Sequence, residues 1–432
     1  MRPITDSLLS SALFTSAPLA PAADTNTAPT LPRADASGNP LRRAPTGHVS
    51  NYDEAKVGTF TLPDPLVLNN GRPVRDAETW RKQRRPELLK LYEMEVYGRV
   101  PDHPPKIRFK LVATDASAFS KAAIRKDIVG HLGNEPDGPT VNLVLYLPAK
   151  ATRPVPVLLH VLFGNPPAGA SASAMTNSTP PGEIGPLSDM LARGYGYAMF
   201  RYTEIEGDTR TNSLSLVRKL ALSPGQSQPG PDDWGTITAW AWSASRVLDY
   251  LETDRAVDAK RIGLIGHSRL GKTALWAGAR DPRFALVFAS CSGELGASLA
   301  RRDFGETVDD VITNFPWWFA NNFQKYSGRW NNLPVDSHLL IALNAPHPVF
   351  ITGGTQDQWA DPRGEFLAEV AAGPVYRLLG KNDLGTSELP PLDAPLIEGA
   401  LGFLYHTGPH SITAEDWTTF LNFADRHLKS NH

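Results

Sequence analysis

One stretch limits what this chain can fold into: Ile262-Gly-Leu-Ile-Gly-His-Ser268-Arg-Leu-Gly-Lys272-Thr-Ala-Leu-Trp276. Arg261 to Ile265 reads as a short buried strand. Gly266-His-Ser-Arg-Leu-Gly271 must then turn sharply into good helix formers from Lys272 to Arg280. A serine on a tight strand-to-helix turn is held in a strained backbone, so small residues must flank it. The helix that follows aims its free N–H groups at whatever reacts there. The second glycine comes one residue later than the usual Gly-x-Ser-x-Gly spacing. Arg269 and Lys272 also place two cations in the first helical turn, where the macrodipole opposes them by a few tenths of a kcal/mol each. Either both face solvent, or they hold oxygen-rich or anionic groups beside the serine.

The chain of 432 residues is 41% hydrophobic, enough for one large core. A formal net charge of -2 without basic runs excludes nucleic acid as an expected partner. No apolar run is long enough to span a bilayer, so no membrane partner is expected. The single cysteine, Cys291, rules out an intrachain disulfide. Leu8 to Ala23 is mildly apolar and ends in Ala-Pro-Ala-Ala, which suggests a weak export signal. Asp24 to Ser50 is rich in Pro, Thr, Ala and Asn. Residues 1–50 are therefore expected to be a flexible leader with little packed structure before Asn51, and 51–432 a single domain.

Asp76 to Tyr97 has helical spacing, and Arg84-Arg-Pro86 is expected to break it into two helices. Lys106–Thr114, Ala123–His131 and Thr140–Leu147 read as antiparallel strands. Val155–Leu162 is almost wholly apolar, as a central strand should be. Tyr195–Tyr202, Phe284–Ser290, Pro348–Thr352, Val375–Leu379 and Gly399–Tyr405 are further expected strands. Thr236–Glu252 is an amphipathic helix, and Thr413 with Asp416 caps a closing one. The polar connection Thr203–Asp233 is expected over the functional edge of the sheet, and the aromatic run Phe315-Pro-Trp317-Trp318-Phe319 in the core under a lid or subdomain, with an exposed stacking surface as the alternative. Strands alternating with helices imply a doubly wound, mostly parallel sheet with an antiparallel N-terminal part, a three-layer α/β/α sandwich. With its serine turn this is an α/β-hydrolase fold.

Ser-His-Asp chemistry needs a nucleophile, a base, and an anion that fixes the base's tautomer. In this fold they occur in the order serine, acid, histidine. Ser268, Asp357 and His410 fit that order. His406 is the rival base, but its place against a strand suggests packing. His267 should point away from the cavity because its neighbour Ser268 points in. For the acid, Asp361 and Glu294 compete with Asp357. Asp361 precedes Pro362 and resembles a helix start, and Glu294 reads as a solvated loop residue or, on the family resemblance given below, a sugar-facing one. No spacing of His, Cys and carboxylates matches a metal site, and no cofactor is expected.

Gly266-His-Ser-Arg-Leu-Gly-Lys272 resembles the Gly-Cys-Ser-Arg-x-Gly-Lys signature of the glucuronoyl esterases, carbohydrate esterase family 15. The resemblance extends to Arg84-Arg-Pro-Glu, Val96-Tyr-Gly-Arg, Asn332-Leu-Pro-Val-Asp-Ser-His, Asp357-Gln-Trp-Ala-Asp-Pro, Gly408-Pro-His410 and Asp416-Trp417. It implies hydrolysis of esters of glucuronic or 4-O-methyl-glucuronic acid, which link glucuronoxylan to lignin alcohols. It further implies Ser268 as nucleophile, His410 as base and Arg269 as an oxyanion stabiliser. Lys272, Glu306 and Trp359 would contact the uronate. Cys291 stands where many members carry a glutamate, whereas Asp357 matches the aspartate of other bacterial members. A secreted or periplasmic monomer is expected. The alternatives are a related carbohydrate esterase, such as an acetyl-xylan esterase, and a catalytically dead carbohydrate-binding protein.

Overall fold

The computed structural model describes residues 32–134, 138–167 and 182–429. Nine strands form one sheet in the order β1-β2-β3-β5-β4-β6-β7-β8-β9. They are β1 (Ile107–Asp115), β2 (Ala123–Leu132), β3 (Thr140–Pro148), β4 (Val155–Leu162), β5 (Gly196–Arg201), β6 (Val257–His267), β7 (Phe284–Ser290), β8 (Val349–Gly354) and β9 (Leu401–His406). β1, β2, β3 and β5 pair antiparallel, and from β5 through β4 to β9 every pairing is parallel.

Strand alternation divides the apolar residues between two faces. On β4, Val155, Val157, Leu159 and Val161 enter one core while Leu158 and Leu162 enter the other. The larger core is covered by α1 (Arg85–Glu95), α2 (Thr236–Leu251), α3 (Arg269–Arg280), α4 (Ser337–Asn344) and α5 (Pro362–Leu378). The smaller is closed by α6 (Ala414–Leu428), whose Trp417, Phe420, Phe423 and Leu428 pack on Ile265, Leu286 and Phe288. Burial on both faces explains why the central strands read as near-continuous apolar runs. α6 starts in the expected capping box of Thr413 and Asp416.

Three expectations are corrected. Ala77–Glu95 does not break at Arg84-Arg-Pro86, because a widened turn over Trp80–Arg84 leads directly into α1. There the Arg85 N–H bonds the Trp80 carbonyl, five residues back. That wider turn takes in Pro86, which has no N–H to donate. Val375–Leu379 is not a strand, since Val375 and Tyr376 are buried positions near the end of α5. A short apolar run carries no period of its own to separate strand from helix.

The third concerns the leader. The chain packs well before Asn51: Arg43 pairs with Val49, the Thr46 hydroxyl donates to Asp309 at 2.6 Å, and His48 meets Asp303 at 2.8 Å. Ala44 is buried. The Thr46 and His48 anchors are single polar contacts to distant residues, which a local composition argument does not see. Leu8–Ala23 lies outside the described residues. Among the described residues no helix is long and apolar enough to cross a membrane.

The turn after β6 needs a bare backbone at Gly266, where a Cβ would sit 1.9 Å from the Leu270 carbonyl oxygen. Gly266→Ala is expected to cost more than about 3 kcal/mol, as large steric changes in a rigid core do. A thermal melt followed by circular dichroism measures this. An unchanged melting temperature would show that the turn relaxes freely.

Candidate active site

The parallel strands β6 to β9 all end on one edge of the sheet, the usual ligand-binding edge of open α/β folds. At the end of β6, Ser268 has φ 57° and ψ -127°. For a non-glycine residue this conformation stores on the order of 1–3 kcal/mol. It is held by the Ser268 N–H donating to the Ser290 carbonyl at 2.8 Å, and by α3, which begins at the next residue. The late second glycine has a packing reason, since a Cβ on Gly271 would lie 2.9 Å from Cβ of Ser292.

The loops after β8 and β9 are laced together. Thr355 N–H donates to the His406 carbonyl at 3.0 Å, and Gln356 N–H to the Gly408 carbonyl at 2.8 Å. The Thr355 hydroxyl accepts from Gly408 N–H at 3.1 Å. This lacing brings His410 Nδ1 to 2.5 Å from Asp357 Oδ2. Asp357 is buried, while the His410 side chain is 42% exposed to the cleft. His406 is instead sequestered, with Nδ1 2.9 Å from buried Asp416. His267 lies outside the cleft lining and packs against the His410 ring, centroids 4.7 Å apart. Its burial holds it well below the ordinary imidazole range, so it is neutral.

These groups open into a cleft of about 770 Å3 lined by Ser268, Arg269, Lys272, Glu306, Asp357, Trp359 and His410. The Arg269 guanidinium donates to Asp208 at 2.5 Å and lies 4.7 Å from the centre of the Trp318 ring. Asp208 also accepts from Trp317 Nε1 at 3.0 Å, Trp318 Nε1 at 2.6 Å and the Tyr202 hydroxyl at 2.8 Å. The cation is therefore clamped by one carboxylate and an aromatic plate. Lys272 is buried, donates to the Ser292 carbonyl at 2.6 Å and sits 3.7 Å from Glu306. Burial lowers the Lys272 ammonium pKa against the opposing pull of Glu306. Burial likewise raises Glu306, with Lys272 pulling the other way.

The other two candidate acids, Asp361 and Glu294, have different surroundings. Asp361 caps α5 by accepting from Gly364 N–H and pairs with Arg302 at 2.8 Å. Glu294 is not solvated or sugar-facing. It is buried, its carboxyl is pushed well above the usual range by burial, and its Oε1 has no partner among the described residues. Cys291 Sγ lies within 4.8 Å of both the Asp357 and His410 ligand atoms. Its thiol is pushed up chiefly by burial, then by the charge of Asp357.

Sequence reading missed two contributors. Asp208 gave no local signal within a long polar connection. Ser37, Gly38, Asn39, Pro40 and Arg42 line the cleft from a segment taken for a flexible leader. Phe315 and Trp318, expected under a lid, line the cleft as well.

A family model described as glucuronyl esterase of fungi matches residues 229–380. The carbohydrate esterase MZ0003 of an unknown prokaryotic organism is 40% identical over 404 residues, covering 88% of this chain and 92% of its own. A 4-O-methyl-glucuronoyl methylesterase of Phanerochaete carnosa is 28% identical over 337 residues, 74% of this chain and 73% of its own. Among solved structures, a glucuronoyl esterase from Solibacter usitatus superposes with a TM-score of 0.81 at 40% identity. It covers 87% of this chain and 100% of that one.

Beneath the cleft floor, Glu365 Oε1 accepts from Gly293 N–H at 2.8 Å and from the Ser292 hydroxyl at 3.1 Å. Burial pushes its carboxyl up to about 8 from an ordinary 4.5. Between those values the folded protein keeps a proton that the unfolded chain releases, so this group makes stability fall as pH rises from about 4.5 to about 8. Glu365→Gln keeps the acceptor and removes the titration. Its melting temperature relative to wild type should therefore climb between pH 5 and pH 9. A pH-independent difference would show that Glu365 does not titrate in that window.

Proposed function

This chain belongs to the glucuronoyl esterases, carbohydrate esterase family 15, and we propose that it hydrolyses esters of glucuronic or 4-O-methyl-glucuronic acid such as those joining glucuronoxylan to lignin alcohols. It is a carboxylic ester hydrolase. The observation that carries the mechanistic reading is the 2.5 Å contact of His410 with Asp357 in the cleft that Ser268 also lines.

Asp357 accepts from His410 Nδ1–H, which leaves Nε2 as the basic nitrogen. Ser268 Oγ attacks the ester carbonyl and its proton passes to Nε2. The oxyanion meets the first-turn N–H groups of α3 and the Arg269 guanidinium, whose attraction grows as charge develops. Nε2 then protonates the departing alcohol. Water, deprotonated by the same nitrogen, cleaves the acyl-enzyme and releases the uronate. Asp208 holds Arg269 in place throughout, so little reorganisation accompanies the charge.

An ammonium has three donors, and Ser292 takes one from Lys272. The remaining donors, with the Glu306 carboxylate as acceptor, suit neighbouring hydroxyls of a sugar. Trp359 supplies the apolar wall. An acetyl-xylan esterase would have no use for this buried charged pair. The substrate is polymeric wall material, so export belongs to the same proposal, as does action as a monomer.

The test compares benzyl glucuronate with an aryl acetate. Wild type should prefer the glucuronate. Lys272→Ala should lose about 10- to 100-fold in kcat/KM on it, the worth of one charged hydrogen bond, and much less on the acetate. A wild-type preference for acetyl esters would overturn the assignment, and equal losses would move Lys272 to a structural role.

Asp357→Asn removes the anion that orients the imidazole, and kcat should fall by about 10^4. Glu294→Gln should lose far less. The reverse order in steady-state assays would make Glu294 the acid.

A further inference from the structure

We propose that segment 33–50 adds a second sugar subsite to the cleft, in which Arg42 donates to the hydroxyls of a saccharide attached to the uronate. This rests on the uronate reading of Trp359 given above. Arg42 is exposed, lines the cleft, and lies with its guanidinium 4.9 Å from the centre of the Trp359 ring. Among the described residues its side chain makes no ion pair and no hydrogen bond, unlike Arg269, which is tied to Asp208. A cation held over an aromatic ring with its fork unused is preorganised to donate to a ligand.

The segment that carries it is built rather than loose. Pro40 accepts from the Tyr52 hydroxyl at 2.6 Å, Ser50 N–H donates to the Arg42 carbonyl at 3.0 Å, and Arg42 N–H donates to the Ser50 hydroxyl at 3.0 Å. Thr46 and His48 fix its far end on Asp309 and Asp303. These contacts hold Arg42 beside Trp359 before any ligand arrives. The position decides the ligand. Trp359 is next to Glu306, whose N–H bonds the Trp359 carbonyl at 2.8 Å, so Arg42 continues the sugar-facing wall. The His410 side, where the alcohol must leave, belongs to other loops. Ser37, Gly38 and Asn39 on this wall are small or polar, as suits a hydroxyl-rich chain, and Tyr52 beside Pro40 adds one aromatic ring. A cleft of about 770 Å3 lies in the range that encloses drug-sized ligands, larger than one sugar ring.

Steady-state kinetics on three esters tests this: methyl glucuronate, benzyl glucuronate, and the benzyl ester of a glucuronic acid carried on xylotriose. Arg42→Ala should lose about 5- to 30-fold in kcat/KM on the xylotriose ester, mostly through KM, the scale of one exposed charged hydrogen bond. That loss should exceed the loss on benzyl glucuronate by at least about fivefold. Arg42→Met, which keeps the stem over Trp359 but has no donors, should behave alike, and Arg42→Lys should fall between. Equal losses on all three esters would make Arg42 a support for Trp359 and overturn the proposal. A loss larger on benzyl than on methyl glucuronate would assign it to the alcohol and overturn it too. If wild type cleaves none of the glucuronate esters, the functional reading itself fails, which is visible before any variant is compared.

Discussion

The site depends on a serine that no relaxed strand-to-helix turn would hold. Ser268 at φ 57° stays there because the chain is fixed on both sides, by β6 locked between two parallel neighbours and by α3 buried along most of its length. Gly266 lets backbone approach backbone, and Gly271 lets the helix approach Ser292, where any Cβ would collide. The strain is thus supported by the core beneath it, which is how functional strain persists in folded proteins.

The parallel sheet then does the assembling. Four successive strand ends deliver Ser268, the Cys291–Gly293 floor, Asp357 and His410 to one edge. The hydrogen bonds between the last two loops hold the imidazole against its carboxylate. Around this lies an unusual density of buried charge. Lys272 and Glu306 offset each other, whereas Glu294 and Glu369 carry carboxyl oxygens without partners among the described residues. Burial pushes both of those acids well above the usual range, which favours the neutral form that a buried carboxyl without full pairing needs.

The two cations of the first helical turn have different environments despite lying three residues apart. Arg269 is fixed by Asp208 and aromatic faces from a distant connection, half in the cleft and half under it. Lys272 is buried in the cleft wall and faces Glu306. Their cost against the macrodipole is a few tenths of a kcal/mol each, small beside the interactions these partners provide. The placement that looked unfavourable locally is settled by tertiary partners.

The amino-acid pattern by itself determined the strand-rich α/β architecture and the tight turn at Ser268, and it singled out Ser268, Asp357 and His410 as polar residues following successive strands. Those features are written in short-range terms: period of apolar residues, small residues around a turn, polar residues after strands. Even the reading of His406 as a packing residue followed from its place against β9. Only the tertiary structure decided that 33–50 packs and lines the cleft, that Val375–Leu379 belongs to a helix, and that Glu294 is buried with one oxygen unpartnered among the described residues. The same holds for Asp208 as the clamp on Arg269, sixty-one positions away in the chain. Each of these turns on which distant group covers a residue, and burial, ion pairing and desolvation are properties of that neighbour as much as of the residue itself.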